Sequence, residues 1–299
     1  ERQGGRRELV PKNLDPTTAG VLLDSDTFRE RIRQLSVVNQ VSLPVFRGEK
    51  PAEGSIDFWG ERPLELLPGG YDAETRSLTQ AKGVDYPEDW ELDQALDFFV
   101  KTFGEYPWAG LEMEFYEATA EEHREQLLKN RNFQTALAGL LSSYVAMMLP
   151  SPATRKPVFL VVSNREGSGK SILGHLFLAS VHGVLTAAGV KENAREMAEF
   201  LNSVALSRKR YLFFDNHTGG LYNKDLDRFI TSGRIEDRTF GAQDLFEAPV
   251  YAQIVITGNS LQVSPDIQRR SFNVQLQTAG PAEERAKHLT RIIDEDWPQ

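Results

Sequence analysis

The sequence predicts an α/β fold in which a central parallel sheet is flanked by helices. Three observations carry this. First, KPVFLVVS, from residue 156, is a short and almost wholly apolar run, the pattern of a strand covered on both faces in a parallel sheet. Second, RYLFFD and AQIVITGN repeat that pattern further along the chain. Third, the segments between them, SILGHLFLASVHG ending at Gly183 and KENAREMAEFLNSVAL, have helical character, so strand and helix alternate as right-handed crossovers require.

The elements follow in chain order. Residues 1–86 form a strand-rich or irregular N-terminal segment, with strand material in LSVVNQVSLPVFRG near 36–47 and small strands and turns in IDFWGERPLELLPGGYDAETRSLTQ. Residues 87–150 form a helical region. Within it Leu92, Ala95, Leu96, Phe99 and Val100 share one face of a helix that starts near Asp85 or Pro87 and ends at Gly104. A second amphipathic helix is expected over 132–149, stopping before Pro150. The α/β core occupies 151–278: after Asp215 the pattern predicts a loop, a helix in KDLDRFITSG, a hairpin within 234–250, a strand, a short helix over SPDIQRR and a final strand SFNVQL. Residues 279–299 read as a C-terminal helical tail, and a chain that opens on Glu1 and closes on DEDWPQ reads as a piece of a longer polypeptide.

Composition narrows the chemistry. With no cysteine, disulfides, zinc-thiolate sites and thiol nucleophiles are excluded. No uninterrupted run of eighteen apolar residues and no apolar signal segment occur, so no membrane partner is expected and the location expected is cytoplasmic. A net charge of -9 counts against a monomer that coats nucleic acid through its overall field, while leaving room for a local basic channel. The acidic stretch over 84–126 reads as solvated helix faces rather than a metal site.

Between the first core strand and its helix lies Asn164-Arg165-Glu166-Gly167-Ser168-Gly169-Lys170-Ser171. Its GKS ending is that of a Walker A phosphate-binding loop. Glycines at 167 and 169 let backbone N–H groups turn toward a phosphate chain, and the helix N-terminus adds partial positive charge at the same point. Lys170 would reach the β- and γ-phosphates of ATP and Ser171 would ligate Mg²⁺. The pattern expects Gly where Asn164 stands, and an Asn that adopts the left-handed backbone would close the loop instead. YLFFD supplies a buried strand ending in Asp215, the carboxylate such a Mg²⁺ site needs, whereas the next position, commonly Glu, is Asn216. The strand ending in Asn259 would lie between the first two if the sheet carries an additional strand, and Asn259 would then hold the attacking water or the γ-phosphate. Arg269 and Arg270 form either an intramolecular salt bridge or an arginine finger reaching a neighbour's γ-phosphate.

Taken in order, NREGSGKS, YLFFDN with GGLYNKDLDRFITSGRIEDRTFG, and VITGNSLQVSPDIQRRSFNVQL resemble the helicase-type ATPase domain of phage and plasmid primase-helicases, within the superfamily 3 and AAA+ ring ATPases, over most of residues 55–277. The resemblance implies a P-loop core of AAA+ type, ATP and Mg²⁺ as cofactors, a homo-oligomeric ring that is usually a hexamer, and ATP hydrolysis coupled to movement on single- or double-stranded DNA in replication of a mobile element, with a replication protein as a further partner. Aspartate followed by Asn is itself a familiar form in mobile-element members, which keeps Asn216 at the catalytic position. A hairpin before the sensor strand would project into the channel within 239–250, where Phe240 and Gln243 could touch DNA, with Arg234 and Arg238 just upstream. Two other readings stand beside this one: an oligomeric ATPase whose nucleotide state controls assembly with, or remodelling of, a protein partner, and a small-molecule kinase.

Overall fold

Alternation along Val158–Ser163 sends successive side chains to opposite faces, and both faces are covered, so the strand could only have been built from an unbroken apolar run. The computed structural model describes residues 35, 37–48, 62–80, 90–111, 119–149, 154–238 and 245–278. The expected C-terminal helical tail and most of the opening segment lie outside the described residues.

The N-terminal part contains β1 (Val37–Asn39), β2 (Pro44–Phe46), β3 (Leu64–Leu66), β4 (Gly70–Asp72) and β5 (Ser77–Thr79). Strands β1, β5 and β4 form one small sheet and β2 pairs with β3 in another. Arg47 ties them together, its guanidinium 2.8 Å from Asp72 and 3.1 Å from Glu65. Leu43, Val45 and Leu67 are buried with Val181 of the core, so this part packs on the larger domain.

Helix α1 (Leu92–Phe103) starts at a capping box formed by Glu91 and Gln94, several residues later than the expected Asp85 or Pro87, and ends at Gly104 as expected. Helix α2 (Ala120–Lys129) uses Thr119 and Glu122 in the same way. The expected helix over 132–149 is two elements: α3 (Arg131–Ser142), then a 3₁₀ segment Tyr144–Met148. The break falls where the Ser143 hydroxyl donates to the carbonyl of Phe177, 34 residues away, an attachment no local pattern reveals.

The core runs β6 (Val158–Ser163), α4 (Lys170–His182), α5 (Ala194–Leu206), β7 (Tyr211–Leu221), α6 (Lys224–Ser232), β8 (Arg234–Arg238), β9 (Leu245–Pro249), β10 (Gln253–Val263), α7 (Pro265–Gln268) and β11 (Ser271–Leu276). Its centre is a four-stranded sheet in the order β11-β6-β10-β7, every pair parallel. On one face Phe159, Val161, Phe213, Val255 and Val274 pack with Phe133 and Leu140 of α3 and Leu173 and Phe177 of α4. On the other Leu160, Leu212, Phe214, Ile254 and Ile256 pack with Met197 and Leu201 of α5 and Phe229 of α6. The architecture is mixed α/β, a parallel sheet flanked by helices. Gly174 lets α4 close on the sheet, since a Cβ there would meet Thr257 Cγ2 at 2.6 Å.

One expectation fails in an informative way. Asp215 is not followed by a loop: β7 continues to Leu221 beside β10, with register shifts at Ile256/Gly258 and Asn259/Gln262. Asn216 (φ 52°), Gly219 (φ 85°) and Ser260 (φ 48°) take up the positive φ that these irregularities require. Turn-forming residues serve here as bulges in a ladder rather than as a loop.

Candidate functional site

The C-terminal end of β6 lies beside β10, which lies in turn beside β7, so β10 is in the middle. Asn259 is in register with Ser163 on one side and Thr218 on the other. The strand carrying Asn259 therefore lies between the one that leads into the glycine-rich loop and the one that carries Asp215.

The loop is held at both ends. At its start the Ser163 hydroxyl donates to the Arg165 carbonyl at 2.9 Å and accepts the Arg165 N–H at 3.2 Å. Asn164 is not among the residues with positive φ, so the left-handed closure expected of it is not what forms the loop. Its amide instead clasps Thr278, donating Nδ2 to the carbonyl at 3.2 Å and accepting the N–H at 3.0 Å. With the Thr278 hydroxyl also donating to Oδ1 at 3.4 Å, three hydrogen bonds anchor the loop to the chain just past β11. At the other end Gly167 (φ 69°) and Gly169 (φ 84°) turn the chain into α4, with Gly169 at its N-cap. No side chain caps this helix, which leaves its first N–H groups directed at the loop. Arg165 and Glu166 are exposed on the loop and Ser171 is half-buried in the first turn.

Lys170 opens the helix and is only 6% exposed. Burial pushes its ammonium below the usual lysine range, and the charges of Asp215 and Glu166 pull it back up. A buried lysine at a helix N-terminus, where the macrodipole is already positive, is an unfavourable arrangement in isolation. It becomes favourable when an anion sits against both.

Asp215 is positioned by a residue that sequence reasoning missed. Thr257, fully buried on β10, donates its hydroxyl to Asp215 Oδ1 at 2.6 Å and accepts the Asn216 N–H at 2.8 Å. The signal was a polar residue near the end of an otherwise apolar strand, which gains meaning only once β10 is known to neighbour β7. The Asn216 residue itself is exposed. His175, one turn beyond Lys170 on α4, stacks edge-on to Phe213 and is held below the usual histidine range by burial, with Asp215 acting in the opposite sense. Three further polar atoms here, Ser168 Oγ, His217 Nε2 and Asn259 Oδ1, are buried without a hydrogen-bond partner. Unsatisfied buried donors and acceptors at one end of a sheet are what a polar ligand would complete.

No family model matches this sequence, and no curated protein does. Among solved structures, a JC virus helicase determined with an acetamide compound bound is similar over 68% of this chain and 56% of that one, at 14% identity and a TM-score of 0.33. The chain spans little more than half the length of that protein.

The remaining candidates lie elsewhere. Arg269 and Arg270 follow α7 at the start of β11, whose first residue is in register with Val158 at the opposite end of β6 from the loop. Both guanidiniums turn to Asp266 of their own chain: Arg269 pairs with its carboxylate, and Arg270 Nη1 lies 3.6 Å from it and donates to its carbonyl at 3.3 Å. The expected hairpin exists as antiparallel β8 and β9. Arg234 on it is paired with Glu247, and Arg238 is in backbone register with Leu245. Phe240 and Gln243 lie outside the described residues. Among the described residues no group of three or more His, Asp or Glu side chains could hold a metal, and no helix is long and apolar enough to cross a membrane.

Proposed function

We propose that the glycine-rich loop binds a nucleoside triphosphate, ATP, with Mg²⁺, and that the chain is a P-loop ATPase of AAA+ type working as a ring-forming motor on DNA. The observation that carries this reading is the burial of Lys170 at an uncapped helix N-terminus within electrostatic reach of Asp215. The residues fit the group: Gly167 and Gly169 free backbone N–H donors, the orphaned Ser168 hydroxyl adds another, and a lone carboxylate suits a cation that keeps water and phosphate oxygens as most of its ligands. Bound Mg²⁺–ATP supplies the phosphoryl group to be transferred to water.

The chain's own residues have separable roles in this reading. Lys170 neutralises phosphate charge, and Ser171 with Asp215, held by Thr257, retains the metal. Asn259, with its unpartnered oxygen beside the loop strand, orients the water. Asn216, exposed and with its N–H already given to Thr257, stands where a Glu is more usual, so turnover is expected to be slow. Because Arg269 and Arg270 lie at the far end of the sheet, they would stabilise transferring charge only on a neighbouring copy.

A second reading, an oligomeric ATPase that assembles with or remodels a protein partner, is favoured by the net charge of -9 and by the commitment of Arg234 to Glu247 on the hairpin. One experiment set addresses both. Lys170→Ala should abolish ATP turnover, and retention of full turnover would show the nucleotide site misassigned. Stimulation of the wild-type ATPase by single-stranded DNA supports the motor, whereas ATP-dependent change of oligomeric state without such stimulation supports the second reading. Mixing Lys170→Ala subunits with Arg269→Ala, Arg270→Ala subunits should restore part of the activity if the arginines act across an interface.

A further inference from the structure

At the end of the sheet away from the glycine-rich loop is a cleft of about 330 Å³, lined by Arg155, Lys156, Arg269, Arg270, Ile230 and Phe272 among others. Its place follows from the parallel strands: Lys156 and Pro157 lead into β6, and Arg270 leads into β11, with the Arg270 carbonyl accepting the Val158 N–H at 2.9 Å. Four basic side chains therefore converge on one opening in a chain whose net charge is -9.

Carboxylates among the described residues account for only part of the arginine charge. Asp266 serves both Arg269 and Arg270, so one carboxylate faces two guanidiniums. Arg155 makes a hydrogen bond to a neutral acceptor, the Thr231 carbonyl at 3.0 Å, and has no carboxylate partner among the described residues. Lys156 donates to the Tyr251 carbonyl at 3.1 Å. Behind it lies Arg210, whose guanidinium donates to the Asn39 amide oxygen at 3.2 Å, while the Nδ2 of Asn39, a residue only 3% exposed, has no partner. Burial, with the Arg210 charge, pushes Lys156 down to about 8, and burial, with the charges of Arg210 and Lys156, pushes His182 down to about 4. The surplus of guanidinium charge over carboxylate at the cleft itself, two arginines on Asp266 and Arg155 on a carbonyl, favours an anion there.

The apolar side of the cleft narrows the anion further. Phe272 is 52% exposed on the edge strand, its ring 5.8 Å from that of Phe159, which braces it from behind. An exposed aromatic face beside guanidinium groups suits a flat base next to a phosphate. We infer that this cleft is a second nucleotide-recognising site, in which Arg155, Arg269 and Arg270 take a phosphate and Phe272 takes the adjoining base. The phosphate could belong to a nucleic-acid strand or to a free nucleotide, and the chemistry of recognition is the same. The site is separate from the glycine-rich loop and does not depend on how that loop is read.

The test uses the full chain with two probes, a fluorescent oligothymidine of about a dozen nucleotides and a fluorescent ATP, titrated into wild type, Lys170→Ala, Arg155→Glu and Phe272→Ala. Arg155→Glu should weaken one probe about tenfold or more at low salt and lower the salt dependence by about one to two phosphate contacts. Phe272→Ala should weaken the same probe about fivefold or more. Loss confined to the oligothymidine identifies a strand as the source. Loss of an ATP-binding phase that persists in Lys170→Ala identifies a free nucleotide. Unchanged binding of both probes to folded Arg155→Glu and Phe272→Ala protein would overturn the inference. Arg155→Gln replaces Arg155→Glu if circular dichroism shows that the charge reversal prevents folding, and the same criteria apply.

Discussion

Replacing Thr257 by Val separates the positioning of Asp215 from its presence. The side chain keeps its shape and loses one hydroxyl, which at present donates to Asp215 Oδ1 at 2.6 Å and accepts the Asn216 N–H at 2.8 Å. A hydrogen bond to a charged group contributes about 1.5–3 kcal/mol, and a stranded N–H costs about 1–3 kcal/mol. Asp215 is half-buried and Asn216 exposed, so water replaces part of each, and the lower ends apply. The sum is about 2–3 kcal/mol of folding stability. A methyl cannot sit 2.6 Å from a carboxylate oxygen, so the carboxylate must also move. If Asp215 retains the metal, a displacement approaching an ångström should lower kcat by about tenfold to a hundredfold. Urea unfolding measures the first effect as a lower midpoint at unchanged slope, and steady-state ATPase at saturating Mg²⁺ measures the second. Thr257→Ser, which keeps the hydroxyl, should recover most of both. A Val variant with the wild-type midpoint and wild-type turnover would refute the idea that this hydroxyl holds the carboxylate.

Two other outcomes are expected. Asn164→Gly brings the loop nearer to the usual glycine pattern yet removes the clasp on Thr278, so it should destabilise the protein by about 1–2 kcal/mol in urea unfolding and should not tighten ATP binding. His182, lowered to about 4 by burial and by the Arg210 and Lys156 charges, contributes stability that is fully present above the unfolded value near 6.5 and is lost as pH falls toward 4. The loss reaches about 2 kcal/mol at pH 5 and should shrink in His182→Gln, read from urea midpoints at pH 7 and pH 5.

The strands of the core were legible because each is covered on both faces, which forces an unbroken apolar run that composition alone reveals. The turn and helix start that present Lys170 were legible because the residues that form them are consecutive, Gly167 and Gly169 taking positive φ just before α4. What escaped was whatever depends on contacts between distant positions. Thr257 and Asp215 are separated by 42 residues and Asn164 and Thr278 by 114, so neither pair has a local signature. Asn216 and Gly219 misled in another way: positive φ is a property of turns and of bulges alike, and only the pairing of β7 with β10 distinguishes them. The helix expected over 132–149 gives way to a 3₁₀ segment just after Ser143, where a tertiary hydrogen bond to Phe177 is made that periodicity cannot register.

The parallel sheet itself constrains how the two groups of charged residues can act. Lys170 follows the C-terminal end of β6 and Asp215 lies part-way along β7, hydrogen-bonded to Thr257 of β10, while Arg155, Lys156, Arg269 and Arg270 precede the N-terminal ends of β6 and β11. A strand of six residues separates the ends by about 20 Å, a span no arginine side chain crosses. Within one chain the two ends cannot share a phosphate, whatever its source. Any role for the arginines in hydrolysis therefore requires a second copy, and its contribution must follow the mass action of assembly. A role in holding a strand or a free nucleotide carries no such requirement, since the cleft is complete in one chain. Dilution thus distinguishes the two uses of the same arginines: it would weaken a contribution to turnover while leaving the affinity of the cleft unchanged.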